Sequence, residues 1–167
     1  MESIKEIKQS KILRNVFIVL MGTVLLAISS KIKIPFYPVP MTMQTLIILF
    51  LGITLGWKLG VATVVLYLFE GIIGLPVFSG SPEKGVGIIY FTGPTMGYLI
   101  GFLFTVYLAG SFNFSKNLFI KFLQLSFSVS FIYIFGILWL GVLIGWEKPL
   151  FQLGVQPFLL AELFKVL

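Results

Sequence analysis

Neither cysteine nor histidine occurs anywhere in this sequence. The first absence removes disulfides and thiolate metal ligands. The second removes the commonest general base and the imidazole ligand. A catalytic triad, a zinc site or a haem pocket would have to be assembled without its usual parts. Charge is scarce too. Only 11% of the 167 residues are charged, against about 25% in a typical soluble domain. With 58% hydrophobic residues and a mean hydropathy of +1.06, this surface cannot be solvated by water, and lipid is the expected solvent. A nucleotide motif is also missing. Gly93-Pro94-Thr95-Met96-Gly97 lacks the lysine of a phosphate-binding loop and reads as a helix start with close backbone packing. Any ATP hydrolysis would have to be supplied by another subunit.

What is present is a succession of apolar runs. Lys5, Lys8, Lys11 and Arg14, mixed with Glu2 and Glu6, precede the first of them, residues 15–30. The net charge of +6 would suit nucleic acid, but the positive-inside rule explains the same residues without that partner. The basic flank and Ala27-Ile28-Ser29 also resemble a signal peptide. Because everything after this run is hydrophobic, an uncleaved first span is the better reading. Further runs follow at 42–55, 59–73, 95–111, 118–145 and 157–167. The expected fold is an all-α integral membrane protein, a bundle of six transmembrane helices in one domain over residues 1–167. Thr42 is the expected N-cap of the second helix, and Gly56-Trp57-Lys58 the turn to the third. Residues 150–155 read as a short loop, and Pro157 opens the last helix. Those last residues rise only about 16 Å, less than a bilayer, so a helix continuing past Leu167 is expected.

Two segments break the pattern. Residues 31–41 hold three prolines in six positions, which forbids a regular helix. Residues 74–93 begin Gly74-Leu75-Pro76-Val77-Phe78-Ser79-Gly80 and end at Gly93. Irregular backbone at membrane depth is tolerated only where protein or a water-filled cavity covers it. With a cytoplasmic N-terminus, Lys5, Lys8, Lys11, Arg14, Lys58, Lys116 and Lys121 lie inside, against Lys31, Lys33, Lys84 and Lys148 outside. Both irregular segments then share the outer face, as a lid over a cavity for an external ligand would.

Glu162 and Lys165 are three apart and share one face of the last helix. An acid and a base in lipid mark a functional site by default. A carboxylate accepts from N–H and an ammonium donates to C=O, so the pair suits a neutral ligand such as a cyclic urea. Self-neutralisation is the alternative. Gln44 could bind a ligand or bond to a neighbouring helix. Glu70 is the less favoured acid, paired with a loop or placed at the interface. Phe36, Tyr37, Phe78, Tyr90 and Tyr98 gather near the irregular segments, either as aromatic walls of a site or as an interfacial belt. Thr23 and Ala27 offer a small-residue helix contact, within this chain or with a partner.

Taken together, Ile34-Pro35-Phe36-Tyr37-Pro38-Val39-Pro40-Met41-Thr42-Met43-Gln44-Thr45, the segment 74–80 and Gly93-Pro94-Thr95-Met96-Gly97-Tyr98 resemble the BioY family of biotin transporters. Gly136-Ile137-Leu138-Trp139-Leu140 and Leu153-Gly154-Val155-Gln156-Pro157-Phe158 continue the likeness, which covers nearly all of residues 15–165. It departs at Leu160-Ala161, where the family usually has Pro-Gly, in a loop 79–90 poorer in glycine than usual, and at two further positions. Met96 stands where the family usually has glycine, and Glu162 where it usually has aspartate. The resemblance implies the substrate-binding S component of an energy-coupling factor transporter in the cell membrane, not an enzyme. It implies a biotin pocket open to the outside, no bound cofactor, and as partners a transmembrane T component and two ATPase subunits. Glu162, Lys165, Gln44, Tyr37, Phe36, Phe78 and Tyr98 are the expected substrate-binding residues. An S component for another vitamin, a solitary biotin transporter and a small intramembrane enzyme are the competing readings.

Overall fold

The computed structural model describes residues 2–167 apart from Ser115, with side chains from Gln9 onward. Helix α1 (Glu2–Lys31) carries the first apolar run, and its stretch Gln9–Lys31 is long and apolar enough to cross a membrane. A helix suits this role because it satisfies its own backbone where water cannot. Lys11 and Arg14 are exposed at its start. Lys5 and Lys8 fall outside the described side chains.

After α1 the proline-rich stretch forms a small antiparallel hairpin, β1 (Lys33–Ile34) with β2 (Met41–Thr42), in the register Lys33 to Thr42. This corrects the expected N-cap. Helix α2 (Gln44–Ile72) begins after Met43, and no side chain caps it in the usual way. The hairpin holds Thr42 in extended conformation one place too early. From there its Oγ1 accepts a long bond from the Gln44 amide, at 3.4 Å.

Helix α2 is broken at Gly56, whose φ of 72° and ψ of 169° are not helical. A Cβ built on Gly60 would lie 3.5 Å from the Gly52 Cα. Eight residues of straight helix would separate the two by about 12 Å. The chain therefore reverses at Gly56, and residues 44–55 and 57–72 are antiparallel arms. These arms are the second and third apolar runs, joined at the expected turn.

Helix α3 (Met96–Ser111) packs between α2 and helix α4 (Leu118–Ile144). Small residues bring the backbones close: a Cβ on Gly52 would meet Val106 O at 2.9 Å, and one on Gly101 would meet Phe131 O at 2.9 Å. Thr105 seals the second contact by donating to Ser128 O at 2.8 Å. Without a hydrophobic drive between helices in lipid, such close approach and interhelical bonding hold them together. The Asn117 side chain caps α4 by accepting from the Phe119 amide. Residues 150–155, expected as a loop, form the short helix α5 (Leu150–Gly154). A 3-10 turn (Gln156–Phe158) with Pro157 near its start leads into helix α6 (Leu159–Val166). Among the described residues α1 and α4 are each long and apolar enough to span a membrane, while the two arms of α2 and helix α3 are apolar but shorter.

Gly56 combines a positive φ with an extended ψ, a region that is essentially glycine-only. A Cβ there would meet nothing within 4 Å, so a substitution costs backbone strain alone. Gly56→Ala should lower stability by about 1–3 kcal/mol, read as a lower melting temperature of the detergent-solubilised protein. An unchanged melting temperature would mean that the reversal does not need this backbone conformation.

Candidate functional site

Segment 74–93 is a folded cover. The Leu75 amide donates to Glu70 O at 3.0 Å, the Lys84 amide to Gly80 O at 2.7 Å, and a 3-10 helix spans Gly87–Thr92. Four of its carbonyls are met from outside. Lys31 Nζ donates to Phe78 O and Ser81 O, both at 2.7 Å, and Lys33 Nζ donates to Ser79 O at 2.6 Å. Ser30 Oγ and Tyr67 Oη both reach Val77 O, at 2.7 and 3.0 Å. Cations from the end of α1 and from β1 thus hold the cover by its backbone.

Beneath the cover lies a cavity lined from the hairpin, α2, the cover, α3, α4 and α6. Its empty space, counted out through the mouth into the open solvent there, is about 510 Å³. The space open to the centre of a water molecule is only about 50 Å³, so the cavity is a narrow slot. Val39, Phe78, Leu99, Phe102, Ile132 and Phe158 give it an apolar body. Thr42, Gln44, Thr45, Ser79, Tyr90, Thr95, Tyr98, Tyr133 and Glu162 supply its polar groups.

The carboxylate of Glu162 is its most charged feature, 7% exposed in all. One oxygen is fully engaged: Oε1 accepts from Lys165 Nζ at 2.7 Å and from Thr45 Oγ1 at 3.1 Å. The other, Oε2, is buried and has no hydrogen-bond partner among the described residues. Tyr133 interacts with this carboxylate from α4, its hydroxyl standing near it but outside hydrogen-bond geometry. A buried acceptor without a donor is costly, and in a cavity it is a place for a ligand N–H.

The expected site residues divide. Glu162, Gln44, Phe78 and Tyr98 all line the slot. Gln44 also donates from Nε2 to Tyr67 Oη at 2.7 Å, the bond to a neighbouring helix that is its other reading. Lys165 lies behind Glu162, donates to Thr42 O at 2.8 Å, and faces a separate groove beside Lys33 and Phe164. Phe36 stands outside the slot and meets Phe158 edge-on at 6.1 Å. Tyr37 is 88% exposed and reaches neither. Glu70 is occupied elsewhere, accepting from Thr23 Oγ1 at 3.0 Å, which also places Thr23 in a contact within this chain.

Thr45, Ser79, Thr95, Tyr133 and Phe158 line the cavity without having been singled out in the sequence. Tyr133 had the clearest signal, a hydroxyl in the middle of a long apolar run. Phe158 follows the helix-opening Pro157, and Thr45 follows Gln44 on the same first turn.

The lysine contacts to the cover give a direct test. Hydrogen bonds to a charged donor are worth about 1.5–3 kcal/mol each. Lys31→Ala with Lys33→Ala should therefore speed amide exchange in residues 77–85 by about tenfold or more, leaving α4 unchanged. Unaltered exchange in the cover would show that its carbonyls are held by its own turns.

Comparison with known proteins agrees with this architecture. The BioY family model matches residues 3–167. A probable biotin transporter BioY from Pyrococcus horikoshii is 32% identical over 152 residues, covering 91% of this chain and 89% of that protein. The biotin transporter BioY of Thermotoga maritima is 32% identical over 145 residues, covering 86% and 84%. Among solved structures, the S-component for biotin from an ECF-type ABC transporter superposes with a TM-score of 0.76 at 30% identity, covering 94% of this chain and 87% of that one. On these matches and on the fold that carries them, the chain belongs to the BioY family.

Proposed function

We propose that this chain takes up biotin as the substrate-specificity subunit of an energy-coupling factor transporter, binding it in the slot beneath the hairpin and the cover. The observation that carries the reading is the buried Oε2 of Glu162, without a hydrogen-bond partner among the described residues, on a side chain that lines the cavity beneath the cover. Biotin offers a neutral ureido ring with N–H donors for that oxygen. Lys165, behind Glu162, donates to Glu162 and Thr42 and so acts on the ligand through the carboxylate it holds in place. The apolar body of the slot suits the reduced ring system and the alkyl chain. Gln44, Ser79 and Thr95 offer donors for the carboxylate.

In this reading α1, the two arms of α2, α3, α4 and α6 form a six-segment bundle in the cell membrane, with the N-terminus cytoplasmic. The hairpin and the cover lie outside, where the vitamin is captured. A transmembrane T component and two ATPases supply the energy that reorients the bundle, since no phosphate-binding loop occurs in this chain. The chain itself needs no cofactor and performs no covalent chemistry.

Isothermal titration of the detergent-solubilised protein should give one biotin per chain without ATP, and no heat with thiamin or riboflavin. Binding of another vitamin in its place would overturn the reading. Lys165→Ala leaves Glu162 buried without its counter-ion and should weaken biotin by about tenfold to a hundredfold. Glu162→Asp should change affinity less than Glu162→Ala, because it keeps the acceptor.

Biotin contacting the closed cover must shift its population toward that form. Amide exchange in residues 74–93 should slow at saturating biotin while α4 changes little. Exchange that ignores the ligand would make the cover static and place entry elsewhere.

A further inference from the structure

Two aromatic rings of the slot rest on glycines that do not line it. The first is Phe78, which is 1% exposed. Tyr90 stacks on it at 4.7 Å, and Tyr67 and Phe91 meet it edge-on at 5.3 Å each. The tip of the ring ends against Gly71 of α2, where a Cβ would fall among the ring's own atoms. The second ring is Tyr98 of α3. Its hydroxyl donates to Gly154 O at 2.9 Å, and its edge lies over Gly136 of α4, where a Cβ would overlap the ring carbons. Gly136 sits deep within α4, where glycine is disfavoured relative to alanine. Local helix preference does not account for it, whereas the ring seated on it does.

We infer that Gly71 and Gly136 set the width of the slot from behind, and with it the size of ring system the protein accepts. The inference rests on the reading of this slot as the biotin site. A methyl group at either glycine must be relieved by moving the ring or the helix. Phe78 is already bounded by Tyr90, Tyr67 and Phe91, so the space left to it is the slot. Because the slot is already narrow, a displacement of either ring closes it to a fused bicycle before it closes it to a single ring. A ligand with the same urea on a single ring passes more easily. These two glycines are therefore specificity-determining residues that act through Phe78 and Tyr98 without touching the ligand.

The test compares biotin with desthiobiotin, which keeps the urea and the carboxylate but lacks the sulfur bridge. Gly71→Ala and Gly136→Ala should each weaken biotin by about tenfold or more, and desthiobiotin by less than about threefold. Adding Phe78→Leu to Gly71→Ala should restore biotin binding, and it keeps the test open if the single variant fails to fold. A ligand-free crystal structure of Gly71→Ala should show the Phe78 ring displaced into the slot. Equal loss for both ligands, no rescue by Phe78→Leu, or an undisplaced ring beside a shifted α2 would each overturn the inference. If the wild-type protein did not bind biotin, the functional reading would fail, while the position of Phe78 in that structure would still decide the role of Gly71.

Discussion

The Glu162 carboxylate stands in an apolar interior with Lys165 and Thr45 on one oxygen and, among the described residues, no hydrogen-bond partner on the other. A charge in such surroundings survives only when it is paired and hydrogen-bonded. Lys165 does the pairing, and its other contact, the carbonyl of Thr42, ties α6 to the hairpin. Thr45 brings in the first turn of α2. The ion pair thus draws three elements of the chain to one point, on a residue that lines the cavity. Removing either charge strands the other, so both belong to the fold.

The same constraint, that polar groups in lipid must find partners, explains the cover. Segment 74–93 departs from helix and so exposes carbonyls that a helix would have used. Lys31, Lys33, Ser30 and Tyr67 take them up. Tyr67 in turn accepts from Gln44, which joins the cover to the slot through a chain of bonds, Gln44 to Tyr67 to Val77. A change at Gln44 is therefore felt at the backbone of the cover.

Much of this was legible in the chain because lipid imposes simple rules. Apolar runs became helices, and Gly56-Trp57-Lys58 became a reversal because only glycine tolerates its backbone conformation there. Glu162 and Lys165 met because three residues of helix place them on one face. The rest depended on contacts far apart in sequence. Lys31 and Lys33 read as charges marking the outer face, yet they fold back on carbonyls some 46 to 50 residues away. Thr42 looked like a cap, but a hairpin of two-residue strands among prolines carries too short a pattern to be read. Tyr37 and Tyr133 show the same limit from both sides. The first sits in the motif yet points away from the slot, and the second lies unmarked in an apolar run yet lines it.

The central claim is that the free oxygen of Glu162 accepts a hydrogen bond from the ligand's ureido N–H. The most direct measurement is a double-mutant cycle in which the second change is made on the ligand, pairing biotin and an analogue N-methylated on the urea with the wild-type protein and with Glu162→Gln. The account predicts that the wild-type protein prefers biotin over the methylated analogue by about tenfold or more, and that Glu162→Gln loses most of that preference. The same preference in both proteins would contradict it and assign the ureido N–H to another acceptor.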